Sequence, residues 1–100
     1  MPYSLKLLPD IERQLRKIPN LDRERVVQAM RSLATEPRQT GTTHLVDILY
    51  RIRVGNYRIV YAIFDAELVV LVCKIALRSE ATYKDIRTLH RLAKEALGAA

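Results

Sequence analysis

Two alternating runs, Tyr50 to Val54 and Tyr57 to Phe64, are separated only by Gly55-Asn56. No other feature restricts the chain as much. Alternation at period two marks β-strands, and a Gly-Asn link of this length marks a tight antiparallel hairpin. Asp65-Ala66-Glu67 then turns the chain into Leu68 to Leu77, a run so apolar that it predicts a central strand. A fold built on this segment contains an antiparallel sheet.

The flanking segments supply helices. Tyr3 to Leu8 alternates weakly and predicts a short strand, and Pro9 suits the first turn of a helix. Ile11, Leu15 and Ile18 follow at helical spacing until Pro19 stops the run. Asn20 can cap a second helix, with Asp22 and Glu24 in its first turn and Val26, Val27, Met30, Leu33 and Ala34 as its buried stripe. Glu36-Pro37 ends it, and Arg38 to Thr43 reads as a loop. Thr82 and Asp85 resemble a capping box for a last helix with an apolar stripe of Ile86, Leu89, Ala93 and Leu97. The expected class is α+β in the order β-α-α-β-β-β-α. Two N-terminal helices pack on a small antiparallel-rich sheet and the C-terminal helix lies beyond it. With 100 residues, no repeat and no linker, one domain spanning 1–100 is expected.

Charge narrows the partners. The formal net charge is +6, which predicts a polyanionic or acidic partner. Twelve of the 17 basic residues are arginine, favouring planar, bidentate recognition of phosphate or carboxylate. Cys73 is the only cysteine and sits in the apolar run, so an internal disulfide is excluded and a small buried hydrophobe is expected. That run is half a membrane span and is interrupted by Lys74, while MPYSLKLLPDIER lacks the features of a signal peptide. A cytoplasmic protein without membrane contact is the expectation.

The hairpin allows a register argument. With Gly55 and Asn56 in the turn, Val54 faces Tyr57, Arg53 faces Arg58 and Arg51 faces Val60. Arg51, Arg53 and Arg58 then share one sheet face, and Ile52, Val54, Tyr57 and Ile59 share the other, the core face. Facing arginines repel by about 0.2–1 kcal/mol, so stability gives no reason for the cluster. A solvated polar face is the plain alternative, but such a face ordinarily mixes carboxylates among its cations. Arg78 follows the apolar strand and Tyr83 lies five residues on, both placed to reach the rim of the same face. Guanidinium groups hold non-bridging phosphate oxygens and stabilise a pentacoordinate transition state, and a tyrosine ring stacks on a base.

The run LYRIRVGNYRIVYAIFDAELVVLVCKIALRSEATY, from Leu49 to Tyr83, resembles the core of the RelE/ParE toxins of type II toxin-antitoxin systems, and is most like the RelE-type mRNA interferases. It carries the basic alternating strand, the glycine turn, the Tyr-Arg pair, the apolar strand, then Arg and Tyr. The resemblance implies a RelE-like fold and a ribosome-dependent endoribonuclease that cleaves mRNA in the A site by 2′-OH attack, without metal or cofactor. It implies Arg58 as the phosphate-binding arginine and Arg78 as the residue that steadies the transition state or protonates the leaving 5′ oxygen. Tyr83 would stack on substrate or move a proton, and Arg51 and Arg53 stand where basic RNA-binding residues lie, often lysines. Arginine at these two positions is a poor general base, which leaves the base unassigned with Tyr83 as one candidate. Ala76-Leu77 also departs from the glycine and basic residue often found there.

A second branch of the resemblance, the ParE type, keeps the fold and acts by binding and poisoning DNA gyrase. Both branches imply a cognate antitoxin. An acidic amphipathic segment would mask Arg51, Arg53 and Arg58, with operator DNA bound only through the antitoxin. Tyr50, Tyr57 and Tyr61 read as core or core-edge residues, and His44 and His90 lack partners at metal-ligand spacing. Lys84, Arg87, Arg91 and Lys94 form a basic stripe on the last helix, either a solvated face or an extra contact to ribosomal RNA.

Overall fold

Along the residues that the computed structural model describes, 2–79 and 85–98, the elements are β1 (Ser4–Leu7), α1 (Ile11–Arg16), α2 (Asn20–Thr35), β2 (Thr42–Val46), β3 (Leu49–Val54), β4 (Tyr57–Phe64), β5 (Val69–Leu77) and α3 (Ile86–Ala96). The strands form one sheet in the order β1-β5-β4-β3-β2, with β1 parallel to β5 and every other pairing antiparallel. The expected α+β architecture is present with one addition. No strand was expected between the second helix and Leu49, where Arg38 to Thr43 reads as a loop, and β2 makes the order β-α-α-β-β-β-β-α. It is an edge strand paired only with β3, and a register shift between His44 and Val46 breaks the alternation that would mark it in sequence.

The hairpin register is as the alternation predicts: Val54 pairs with Tyr57, Arg53 with Arg58 and Arg51 with Val60. Gly55 carries φ 58°, while Asn56 keeps a negative φ, as in a II′ turn with glycine first. A β-bulge follows on β5. Val60 pairs with Lys74 and Tyr61 with Val72, leaving Cys73 as the extra residue. Cys73 therefore joins the same side of the sheet as Leu71, and burial pushes its thiol up to about 12.

Each sheet face has its own core. On one, Ile11 and Ile18 with Val26, Met30 and Leu33 of α2 pack against Ile52, Ile59, Tyr61, Ile63, Val70 and Val72. On the other, Leu89 and Ala93 of α3 pack against Leu49, Val60, Ala62, Phe64 and Leu71. β4 and β5 are covered on both sides, which is why the run after Leu68 is so uniformly apolar. Tyr61 is fully buried, and its hydroxyl donates to the Pro37 carbonyl at 2.7 Å.

Helix ends differ from the expected caps. Pro19, not Asn20, occupies the cap position of α2, with φ −55° and ψ 149°. A proline's fixed φ and missing N–H suit that place. Asp85 does precede α3 but makes no side-chain cap bond. Its carboxylate instead meets the Lys74 ammonium at 2.7 Å, a tertiary ion pair that outcompetes the local cap. Thr82, the other half of the expected capping box, lies outside the described residues. Among those residues, no helix is long and apolar enough to cross a membrane.

Candidate functional site

Arg51, Arg53 and Arg58 point to the α3 side of the sheet, because each shares a cross-strand row with a residue of that face or with another of the three. α3 covers the apolar half of this face over Leu49, Ala62 and Leu71. The basic half, towards the hairpin turn, is left to the arginines. Arg53 is exposed, while Arg51 and Arg58 are half-buried. The Arg58 Nε is buried and has no hydrogen-bond partner among the described residues, an arrangement that costs stability and leaves a donor ready for an anion.

Arg78 joins Arg58 at the end of β5. Its backbone N–H donates to the Asn56 carbonyl at 2.8 Å, tying the strand end to the hairpin turn. Asn56, Arg58, Leu77, Arg78 and Ser79 line one open concavity of about 460 Å³. Two guanidinium side chains thus border a space large enough for a phosphate and its sugar. Tyr83, expected at the rim of this face, lies outside the described residues, as does Lys84.

Lys74 is a member of the basic face that its sequence context hid. Read as an interruption of an apolar run, it stands in the fold in the row Arg51–Val60–Lys74, two strands from Arg51. The bulge at Cys73 shifts the period by one, so alternation counted from the Val69 end of β5 misplaces it. Its partner Asp85 keeps one carboxylate oxygen buried with no hydrogen bond from the described residues.

The remaining charged groups are largely structural. Asp47, at φ 48° in the β2–β3 turn, accepts from His90 at 2.8 Å and lies 3.6 Å from the Lys94 ammonium, clasping α3 to the sheet. The hydrogen bond from His90, with Lys94 nearby, holds the Asp47 carboxyl below its ordinary value. Of the proposed basic stripe on α3, Lys94 is therefore engaged with Asp47 and Arg91 with Glu95, while Arg87 is exposed. At the far end of the sheet, Arg38 makes a bidentate pair with Asp65 at 3.1 and 2.8 Å and lies over the Tyr50 ring. Tyr3 donates to the same carboxylate at 2.6 Å, pinning the N-terminal strand to the β4–β5 turn. Among the described residues no group of three His, Cys, Asp or Glu side chains could hold a metal ion.

A sheet with helices on both sides and an arginine-bordered concavity at one end defines a small α+β protein with a basic site, and the comparisons identify the kind. Residues 4–82 match the model of the ParE toxin of type II toxin-antitoxin system, parDE, so the chain belongs to that family and is a toxin of such a system. The toxin of the archaeal RelE-RelB complex from Pyrococcus horikoshii OT3 superposes with a TM-score of 0.72 at 26% identity, over 81% of this chain and 100% of that one. The RelBE2 complex from Mycobacterium tuberculosis gives 0.70 at 25% identity, over 80% and 95% of the two chains. A mutant of E. coli toxin RelE in the free state gives 0.69 at 20% identity over 97% and 99%, a likeness of fold. The fold is thus RelE-like within the RelE/ParE superfamily. A search of curated protein sequences returns no match.

Proposed function

We propose that this toxin is a metal-independent, ribosome-dependent endoribonuclease that cuts mRNA in the A site and so inhibits translation. The observation that carries the reading is the convergence of Arg58 and Arg78 on one concavity, beside Arg51 and Arg53 on the same sheet face. The 2′-OH of one nucleotide attacks its own 3′-phosphate, the bond to the 5′ oxygen of the next nucleotide breaks, and a 2′,3′-cyclic phosphate and a 5′-OH result. Arg58 holds the non-bridging oxygens, and its unpartnered Nε acquires its acceptor only when phosphate is bound. Arg78 balances the charge that builds on the phosphorane and the leaving oxygen. Arg51 and Arg53 hold the flanking backbone, and Tyr83 stacks on a base or takes the 2′-OH proton. Among the described residues the site offers no strong isolated base, so orientation of the strand by the ribosome supplies much of the rate.

Similarity to the toxins of two RelE–RelB-type complexes, at 26% and 25% identity, supports this reading and a cognate antitoxin that inhibits by covering the basic face. Operator DNA would be reached through that antitoxin. A second reading is favoured by the family model itself, which is that of the ParE toxin: a protein that poisons DNA gyrase without cutting RNA. Ribosomes stalled on a defined mRNA separate the two. Cuts confined to the A-site codon, absent on free mRNA and reduced about 10²–10³-fold in Arg78→Ala, are expected. Intact mRNA together with toxin-dependent, gyrase-linked DNA breaks would establish the second reading instead.

A further inference from the structure

A second concavity, of about 370 Å³, lies at the same end of the sheet but on its opposite face, and nothing in the proposed chemistry uses it. Gln14, Lys17 and Ile18, from α1 and the turn after it, form one wall, and Tyr57 and Leu77 form the other. The Gln14 side chain is committed: its Oε1 accepts from the Ile75 N–H at 2.7 Å and its Nε2 donates to Asp10 at 2.9 Å. The Lys17 ammonium and the Tyr57 hydroxyl are not, although the Tyr57 ring packs in part against the core. No described residue hydrogen-bonds the Lys17 ammonium or the Tyr57 hydroxyl, and Lys17 interacts only at longer range with Asp10.

Tyr57 and Arg58 are consecutive on β4, so they face opposite sides of the sheet at its open end. Tyr57 pairs with Leu77, and Leu77 borders both concavities. A strand of nucleic acid crossing the sheet end beside Leu77 therefore meets phosphate-binding arginines on one side and an aromatic, apolar recess on the other. We infer that this recess is a base subsite: it takes the nucleobase next to the cleaved phosphodiester, stacked on the Tyr57 ring, with Lys17 at that nucleotide's phosphate. The volume lies in the range of small-molecule sites; Lys74 also lines the recess but is held by Asp85, and a tyrosine face with the Lys17 ammonium suits an RNA base and its phosphate. The inference rests on the nuclease reading and adds to it where the base beside the cut is held.

The test uses ribosomes programmed with an mRNA whose cleavage-site nucleotide is 2′-deoxy, which blocks attack, and whose neighbouring base is 2-aminopurine, a probe quenched by stacking. Wild-type toxin is expected to quench the probe, Tyr57→Phe to quench it equally, and Tyr57→Leu to leave it bright. On cleavable mRNA, Tyr57→Leu should raise KM about tenfold. Lys17→Gln, an exposed substitution that does not touch the core, should raise KM with kcat unchanged. Quenching that survives Tyr57→Leu, or an unchanged KM in Lys17→Gln, overturns the subsite while leaving cleavage itself intact. Should both variants cut normally but lose antitoxin affinity, the recess is a peptide site and the inference falls. A wild-type protein that cuts nothing removes the nuclease reading and the subsite with it.

Discussion

Arg53 and Arg58 sit directly opposite each other, and Arg58 in addition buries a donor that no described residue accepts. Both arrangements work against folding. Arg53→Gln is expected to raise stability by about 0.2–1 kcal/mol in urea denaturation while weakening RNA binding. Tyr61→Phe has the opposite sign. It strands the buried Pro37 carbonyl and should cost about 1–3 kcal/mol by the same measurement. Burial that lifts the Cys73 thiol to about 12 makes it inert, so iodoacetamide at pH 8 should modify it only after denaturation. Residues of the hairpin were legible because a tight turn fixes register, and register fixes faces; that is how Arg51, Arg53 and Arg58 could be grouped from sequence. Lys74 was not, because a one-residue bulge beyond the hairpin reverses the parity on which such counting depends.

At the scale of elements, legibility followed the size of the local signal. Helices with full apolar stripes and strands buried on both faces declared themselves. β2 did not, since an irregular edge strand of mixed polarity is specified by pairing with β3 rather than by its own pattern. Caps failed for a related reason: the Asp85 carboxylate is drawn to Lys74 across the fold. α3 is held by Leu89 and Ala93 below and by the Asp47 clasp at its flank. Asp47 has its folded value depressed, so its contribution is fully present above the ordinary carboxylate value. That contribution is lost as pH falls through the lower, folded value. Amide exchange in α3 should therefore accelerate in acid faster than in β4, and Asp47→Asn should remove that difference and speed α3 exchange at neutral pH.

For the molecule as a whole, an excess of +6 carried mainly by arginine makes binding depend on salt. If Arg51, Arg53, Arg58 and Arg78 each displace one counterion, log affinity for a short non-cleavable RNA should fall with log salt at a slope of about −3. Arg58→Ala should reduce that slope by about 0.7. Whole-chain connectivity has a further effect. β1 pairs with β5, so Ser4 must find Val69 across about two thirds of the chain, and β5 is also the strand that brings Arg78 to Arg58. Such non-local closure waits for the late strand to be made. A nascent chain that has emerged only through β4 has the hairpin but lacks the strand that completes the site. The topology therefore acts as a delay: the site is complete only once the last strand of the sheet has been made and has joined both of its neighbours.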